Sequence, residues 1–508
     1  MLEYTPKQHR VGGLRLEPHK AMSTQQAIRP AFIPSRLVIP VDSQHGIAPR
    51  LAVAMGEHVL GGQIIARTPS QSGIADIHAS ASGFVTAIEK RRIQSAQSAA
   101  DTLCVVIKTD EQNQMLEKPN AGWPTDDARE LLRCAGIVGL GGAAVSTAWK
   151  LAQAQNHHTV IINGAECEPY ISCDDMLMRE HADEIISGCI AITDLLRAQQ
   201  CIIAIERDKP EAIKAMREFA ESCADPRLHL AEIPSIYPAG GERQLVELLL
   251  DLEVPSGGYP SDLGVVCQNV GTARSVHRAI HHGAPLISRV VTVTGGGTQQ
   301  PSNNDVLIGT PIEELVEHCG GYTASATHLI LGGSMMGVSQ PDDAIPVTKA
   351  TNCVIVAASS EFIATSKSWP CIHCGDCAAA CPVRLQPQEL HRAARSADFD
   401  ALTEFGLVDC IECGCCDVIC PSHISLTSSF VDAKAEFKRR LSKEHIAQQA
   451  QIHFEARRDR LETLEQQETE QQAALVDQLG SEQDERQRLI AAAVKRARQR
   501  RRTPDDSK

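Results

Sequence analysis

Eight cysteines between Cys371 and Cys420 carry the strongest chemical signal in the chain. The first run is Cys371, Cys374, Cys377 and Cys381, followed by Pro382; the second is Cys410, Cys413, Cys416 and Cys420, followed by Pro421. Each reads C-x2-C-x2-C-x3-C-P, a spacing that wraps an iron-sulfur cubane in consecutive turns of backbone with N–H···S bonds. In two-cluster ferredoxins the fourth cysteine of each run crosses to the other cluster. The predicted ligand sets are therefore Cys371, Cys374, Cys377 and Cys420 for one [4Fe-4S] cluster, and Cys410, Cys413, Cys416 and Cys381 for the other. Crossing makes the clusters close neighbours, so the pair is a short electron wire. Zinc also accepts a CxxC pair, but rarely three cysteines at successive x2 spacings with a trailing Cys-Pro, and here that pattern appears twice. Residues 386–407, between the runs, read as helices with Leu390, Ala393, Ala394, Phe399, Leu402 and Phe405 on the apolar face. That favours a helical ferredoxin variant over a compact β-ribbon one. Cys415 is surplus to both sets and reads as packing.

Two further loops have chemical potential. Gly136-Ile-Val-Gly139-Leu-Gly141-Gly142 precedes a helix that carries Lys150. Bare backbone approaches a phosphate closely, a helix N-terminus adds N–H donors and positive dipole, and Lys150 adds a point charge. The spacing is not G-x-G-x-x-G and no strand immediately precedes it, so this is not a Rossmann fingerprint. The same loop without a ligand is an ordinary glycine turn. A strand at 158–163 then leads into Asn163-Gly-Ala-Glu166-Cys-Glu168-Pro-Tyr170, followed by Asp174 and Asp175. Glutamates on a tight turn at a strand end can hydrogen-bond ribose or flavin hydroxyls and amides; the alternative is an exposed acidic turn. His157, His158, His281 and His282 lack metal spacing and read as surface residues.

The elements that must position these groups form a multidomain α+β chain. At 508 residues one core is too few, and three or four domains are expected. Residues 1–115 look all-β, with short alternating runs at 36–41, 63–67 and 83–89 between Gly, Ser and Pro turns. Residues 120–285 turn α/β, with helices at 125–135 and 174–197 and a strand at 201–205. A small α+β unit covers 286–345, opening on a strand at 289–295, and the cysteine domain covers 360–430. Residues 431–508 read as a long charged helix or a disordered tail. Aromatics are only 3% of the chain, so the cores rest on Leu, Ile, Val and Ala. The net charge of −14 excludes general nucleic-acid binding. The tail departs from that balance: Arg486, Arg488, Lys495, Arg496, Arg498, Arg500, Arg501 and Arg502 share a stretch free of Asp and Glu, which suits an acidic surface. Nineteen cysteines in so long a chain are not a disulfide framework. With no secretory h-region and no apolar run near 18–20 residues, a cytosolic setting is expected, any membrane being reached through a partner. The ten other cysteines read mostly as buried small hydrophobes, although Cys167 and Cys173 flank the acidic loop.

Several strings together resemble one family. They are Gly139-Leu-Gly-Gly-Ala-Ala, Asn163-Gly-Ala-Glu-Cys-Glu-Pro-Tyr, Tyr237-Pro-Ala-Gly-Gly-Glu, Val254-Pro-Ser-Gly-Gly, Gln268-Asn-Val-Gly-Thr-Ala, Gly332-Gly-Ser-Met-Met-Gly and the doubled cysteine motif. Over 12–425 the chain resembles the C subunit of the Rnf (Rsx) electron-transport complex, and its middle is similar to the flavin-bearing, NADH-oxidising subunit of respiratory complex I. The resemblance implies an FMN cradled by Gly139, Gly141, Gly142 and Lys150. It implies that Asn163, Glu166 and Glu168 contact flavin or nicotinamide, with both glutamates as the catalytic candidates. Gly240, Glu242, Asn269 and Thr272 match the remaining nucleotide-binding strings. The first domain looks like a barrel-sandwich hybrid whose hairpin at 78–83 has no Lys to modify, and 286–345 resembles a soluble-ligand-binding β-grasp. The family's Phe-Pro-Thr is Val145-Ser146-Thr147 here, a change expected to loosen the flavin pocket.

The function this implies is a peripheral subunit on the cytoplasmic face of the bacterial inner membrane, in a complex that couples electron transfer to ion translocation. Electrons would pass between NAD(H), FMN and the two clusters, then to membrane subunits or ferredoxin. Hydride transfer moves two electrons and a cluster carries one, so a flavin is the sensible converter. The alternatives are a non-catalytic iron-sulfur wiring and docking subunit without flavin and NADH sites, and a soluble dehydrogenase without a membrane partner.

Overall fold

A computed structural model describes residues 2–6, 12–41, 47–94, 99–110, 112–117, 120, 123, 126–153, 158–361 and 367–500. Thr125, the first residue of the helix expected at 125–135, and His157, Arg501 and Arg502 lie outside the described residues. The chain divides into two compact units, 1–431 and 432–508.

The β-rich region packs a four-stranded sheet (Arg36–Pro40, Ala99–Thr109, Gly83–Gln94, His58–Val59) against a three-stranded one (Arg50–Leu51, Ile64–Arg67, Ile77–His78). Leu37, Ile39, Ile65, Val85, Val105 and Ile107 fill the space between them. The hairpin residues Ala79 to Ser82 are all buried, which rules out a swinging arm at this turn.

The α/β region is built on a parallel five-stranded sheet in the order Leu2–Tyr4, Leu228–Ile233, Gln200–Glu206, Thr159–Gly164, Val265–Asn269. Residues 2–4, expected in the first domain, pair with the edge of this sheet instead. Both faces are covered, so Thr159–Gly164 and Gln200–Glu206 are buried along almost their whole length. Val160, Ile162, Ile203 and Ile205 face one core. Ile161, Ile202 and Ala204 face the other, against Leu245, Leu248 and Leu249 of the Glu242–Leu250 helix. The helix expected at 174–197 is two helices, Cys173–Glu180 and Ala182–Leu196, broken at His181, whose φ of −131° is not helical.

The small α+β unit extends past its expected end near 345. Its sheet runs Ser302–Leu307, Ser288–Thr294, Cys353–Ala358, Ala326–Leu331, Val338–Gln340, with the fully buried Cys353–Ala358 at the centre. In the cysteine domain the two halves repeat in conformation as well as sequence. His373 and Glu412 (both φ 57°), Gly375 and Gly414, and Arg384 and His423 all take positive φ. The linker forms helices Pro387–Ser396 and Phe399–Glu404 and buries Leu390, Ala393 and Leu402. Leu426–Arg500 is one helix, so the tail is helical as far as it is described. Among the described residues no helix is long and apolar enough to cross a membrane.

Candidate functional site

The chain runs from Thr159–Gly164 to Gln200–Glu206 and Leu228–Ile233 on one side, then returns to Val265–Asn269 on the other. Strand order reverses between Thr159–Gly164 and Val265–Asn269, and in doubly wound sheets ligands bind outside the carboxyl ends of the strands at such a switch point. Register sets Asn163 beside Asn269 there. The Asn163 amide donates to the Gly240 carbonyl (2.8 Å) and its oxygen accepts from the Ala165 N–H (3.1 Å). Asn269 caps the Val270–His282 helix through the Gly271 N–H (2.8 Å) and donates to an Asp174 oxygen (2.6 Å). Both asparagines thus fix the loops around the crevice.

The glycine loop is held firmly at one residue and left bare at the next two. The Leu140 N–H donates to Thr272 Oγ1 (2.9 Å), and its carbonyl accepts from Nη2 of the buried Arg289 (3.0 Å). The Gly139 N–H closes the loop on the Val145 carbonyl (2.8 Å). A Cβ on Gly141 would lie 3.6 Å from Asn269, so this backbone sits at the switch point. Gly142 has φ +116°, unfavourable for other residues, and a Cβ there would meet nothing within 4 Å. This open, side-chain-free ledge fits a flat cofactor with a phosphate. The loosening expected from Val145-Ser146 is opposed by two contacts, because the Val145 carbonyl accepts from Gly139 and the Ser146 hydroxyl donates to the Gly73 carbonyl. Lys150 and Glu242 meet as an ion pair (2.7 Å), and Lys150 also donates to the Cys267 carbonyl (2.7 Å). Lys150 is therefore a paired charge rather than a free one.

The acidic loop is an internal clamp. Glu166, in left-handed backbone (φ 50°), accepts from the Asp174 N–H (2.6 Å) and the Asp175 N–H (3.3 Å), capping the Cys173–Glu180 helix, with Lys20 3.6 Å away. Glu168 Oε1 accepts from the N–H groups of Met335 (2.9 Å) and Met336 (2.6 Å), which ties the loop to the 332–337 turn. Burial raises the Glu168 carboxyl above its ordinary range. Between the two glutamates, Cys167 Sγ accepts from the Gly240 N–H (3.4 Å), and burial pushes its thiol up to about 12, so it stays protonated. Three separated strings thereby converge on one wall of the crevice.

Asp174 bridges this clamp to Asn269. Burial, then the neighbouring Glu166, push its carboxyl up to about 7. A carboxyl that binds its proton more tightly folded than unfolded lowers stability as pH rises from the unfolded value near about 4 to the folded one. Asp174→Asn is expected to flatten that fall, with the raised Glu168, Asp175 and Glu206 leaving a remainder. Urea midpoints at about pH 5 and about pH 7.5 measure the change, and an unaltered slope in the variant would locate the effect elsewhere.

The cysteines line two cavities. One collects Cys371, Cys374, Cys377 and Cys420; the other collects Cys381, Cys410, Cys413 and Cys416. The grouping is the crossed one. Four thiols line the first cavity and five the second, where Cys415 is the extra one; with N–H···S contacts from His373 to Cys371 (3.4 Å) and Leu385 to Cys381 (3.3 Å), each cavity holds a donor set suited to a cubane. The second cavity abuts the α/β region: the buried Tyr237 donates from its hydroxyl to the Cys413 carbonyl (2.7 Å), and Met335 lies 3.5–3.6 Å from the Cβ position of Gly414. Cys415 is buried against Tyr237 as packing, and of the ten remaining cysteines eight are buried, Cys167 half-buried and Cys223 exposed. Sequence reading missed Arg289, Tyr237 as a bridge, and the backbone of Met335. Tyr237 and Met335 left a signal, since each lies in one of the strings above, whereas Arg289 left none.

Comparison with known proteins agrees with this layout. Residues 8–112 match the RnfC barrel sandwich hybrid domain, 132–278 the Nuo51 FMN-binding domain, 290–339 the SLBB domain and 367–424 the 4Fe-4S dicluster domain. A crystal structure of NAD+-reducing [NiFe]-hydrogenase in the H2-reduced state aligns at TM-score 0.43 and 18% identity over 61% of each chain, too distant to carry an argument. The C subunit of the ion-translocating oxidoreductase complex of Vibrio cholerae is 40% identical over 96% of this chain, which spans 63% of that protein's length. Its counterpart in Pseudomonas aeruginosa is 41% identical over 89% of this chain and 58% of its own. That of Rhodobacter capsulatus is 39% identical over 85% of this chain and 84% of its own. With an FMN-binding domain and a two-cluster domain on one chain, and relatives this similar over most of its length, the protein belongs to the family of C subunits of ion-translocating oxidoreductase complexes.

Proposed function

We propose that this chain is the electron-exchanging peripheral subunit of a membrane complex that couples redox chemistry to ion translocation, working between NAD(H), FMN and two [4Fe-4S] clusters. One observation carries the reading. The turn that receives the Asn163 amide at Gly240 begins at Tyr237, and Tyr237 reaches the Cys413 carbonyl at 2.7 Å. The crevice proposed for the flavin and one cysteine cavity thus lie against the same turn, which supports electron exchange between them.

FMN, when bound, supplies the conversion between a two-electron hydride and single electrons. The residues do the rest. Gly139, Gly141 and Gly142 offer bare backbone, while Thr272 and Arg289 hold that backbone still through Leu140. Asn163 and Asn269 set the crevice edges, Glu166 and Glu168 keep the acidic loop in place, and the Lys150–Glu242 pair fixes the flanking helices. Cys371, Cys374, Cys377 and Cys420 would hold one cluster, and Cys381, Cys410, Cys413 and Cys416 the other. Anaerobic reconstitution followed by iron and acid-extracted flavin analysis tests this assignment. About eight iron and one FMN per chain support it, and iron without flavin would sink it in favour of a wiring subunit.

We place the protein on the cytoplasmic face of the inner membrane, with its basic tail against anionic lipid or an acidic subunit. Each basic group near such a surface contributes about 1 kcal/mol. Removing residues 481–508 is expected to release the protein from washed membranes at lower salt than the full chain, and equal retention at every salt concentration would show that the tail is no anchor.

A further inference from the structure

The two cysteine cavities differ in what surrounds the thiols. Around Cys371, Cys374, Cys377 and Cys420 the walls carry His373, Glu389, His391, Arg392 and Arg395. Arg392 pairs with Glu389 at 2.9 Å, and Arg395 adds a second guanidinium. Cys371 and Cys374 are exposed. Around Cys381, Cys410, Cys413 and Cys416 the walls are Val383, Leu385, Leu390, Ile411 and Phe430 with small neutral residues, and among the described residues no ionisable side chain other than cysteine lines this cavity. Cys413 and Cys416 are buried, and Asp417 comes to 3.6 Å from Cys416 Sγ.

A cubane with four thiolates is anionic, and reduction adds one more negative charge. Apolar walls penalise that extra charge, a nearby carboxylate repels it, and solvent with guanidinium groups stabilises it. Net charge and exposure are among the factors that set cluster potentials. The cavities are also ordered in space, because the apolar one touches Tyr237 and Met335 while the other opens to solvent.

We propose that the clusters are electronically unequal: Arg392 and Arg395 hold the Cys371 cluster at the higher reduction potential, while the apolar walls and Asp417 hold the Cys381 cluster at the lower one. Electrons entering at the Tyr237–Cys413 contact then move outward, and the exposed site is the terminal for exchange with a one-electron carrier. The internal step is balanced as it stands, since one electron leaves the inner site, one arrives at the outer site, and no bond or proton changes. This rests on the two-cluster reading of the proposed function.

The test is an EPR-monitored potentiometric titration of the reconstituted full chain with dithionite, after iron analysis. Wild-type protein is expected to show two separate one-electron midpoints. Arg392→Gln combined with Arg395→Gln should lower the upper midpoint and leave the lower in place. Asp417→Asn, which keeps an oxygen for the Thr427 N–H (2.9 Å in the native contact), should raise the lower midpoint by more than the upper, because Asp417 is nearest Cys416 and only its field reaches His391 on the outer wall. Coincident midpoints in wild type, an unmoved upper midpoint in the arginine variant, or a shift there of the lower one would overturn the proposal. Iron well below about eight per chain would instead break the two-cluster reading, so the two failures are distinct.

Discussion

Cys420→Ala is expected to abolish the cluster of Cys371, Cys374 and Cys377 and to spare the cluster of the run to which Cys420 itself belongs. The reason is spatial. Cys420 lines the cavity of the first three cysteines, and Cys381 lines the cavity of Cys410, Cys413 and Cys416. Alanine cannot ligate iron, and a cubane short of one thiolate on the exposed side is open to loss. Iron should fall from about eight to about four per chain. The residual dithionite-reduced EPR spectrum should match that of Cys374→Ala and differ from that of Cys413→Ala. A residual spectrum matching Cys413→Ala would mean that each run closes on its own cluster. On the proposed route the consequence for function is as large as that for iron content, because losing the exposed cluster would remove the outer end of the wire.

Arg289→Met is expected to weaken FMN binding by about 10-fold to about 150-fold while leaving both clusters in place. Arg289 is buried at the start of the Ser288–Thr294 strand, and its guanidinium serves the Leu140 and Lys349 carbonyls. Methionine keeps comparable bulk but leaves the Leu140 carbonyl without this donor, beside the bare glycines. A hydrogen bond to a charged group contributes about 1.5–3 kcal/mol, which sets the expected range. Flavin fluorescence quenching gives the affinity, and iron content with the thermal midpoint reports on the rest of the fold. Unchanged affinity in a folded variant would mean that the loop keeps its shape without Arg289.

These two effects differ in how far the sequence alone reveals them. The grouping of the cysteines into two cavities is legible because eight cysteines at fixed spacing allow few geometries, and the doubled motif is what suggests the proposed crossing. The glycine and acidic strings are legible as places but not as contacts. Lys150 is 92 residues from Glu242, and Arg289 is 149 residues from Leu140, so no local pattern links either pair. Glu166 and Glu168 look like free carboxylates in the sequence, yet backbone N–H groups of other segments occupy both. Cys353–Ala358 escapes notice as a strand because it is buried on both faces and shows no alternation. Leu2–Tyr4 is too short to read and acquires its place only from the parallel edge it joins.

The proposed electron delivery from the crevice beside the glycine loop to the clusters, past Tyr237, can be timed. Reconstituted protein is mixed with NADH under anaerobic conditions, frozen at successive times and examined by EPR, once with FMN bound and once after flavin removal. Cluster signals are expected to grow in the FMN-bound sample and to stay absent without it, although dithionite reduces both. Equal NADH-driven reduction in the two samples, or none in the FMN-bound one, would contradict this route.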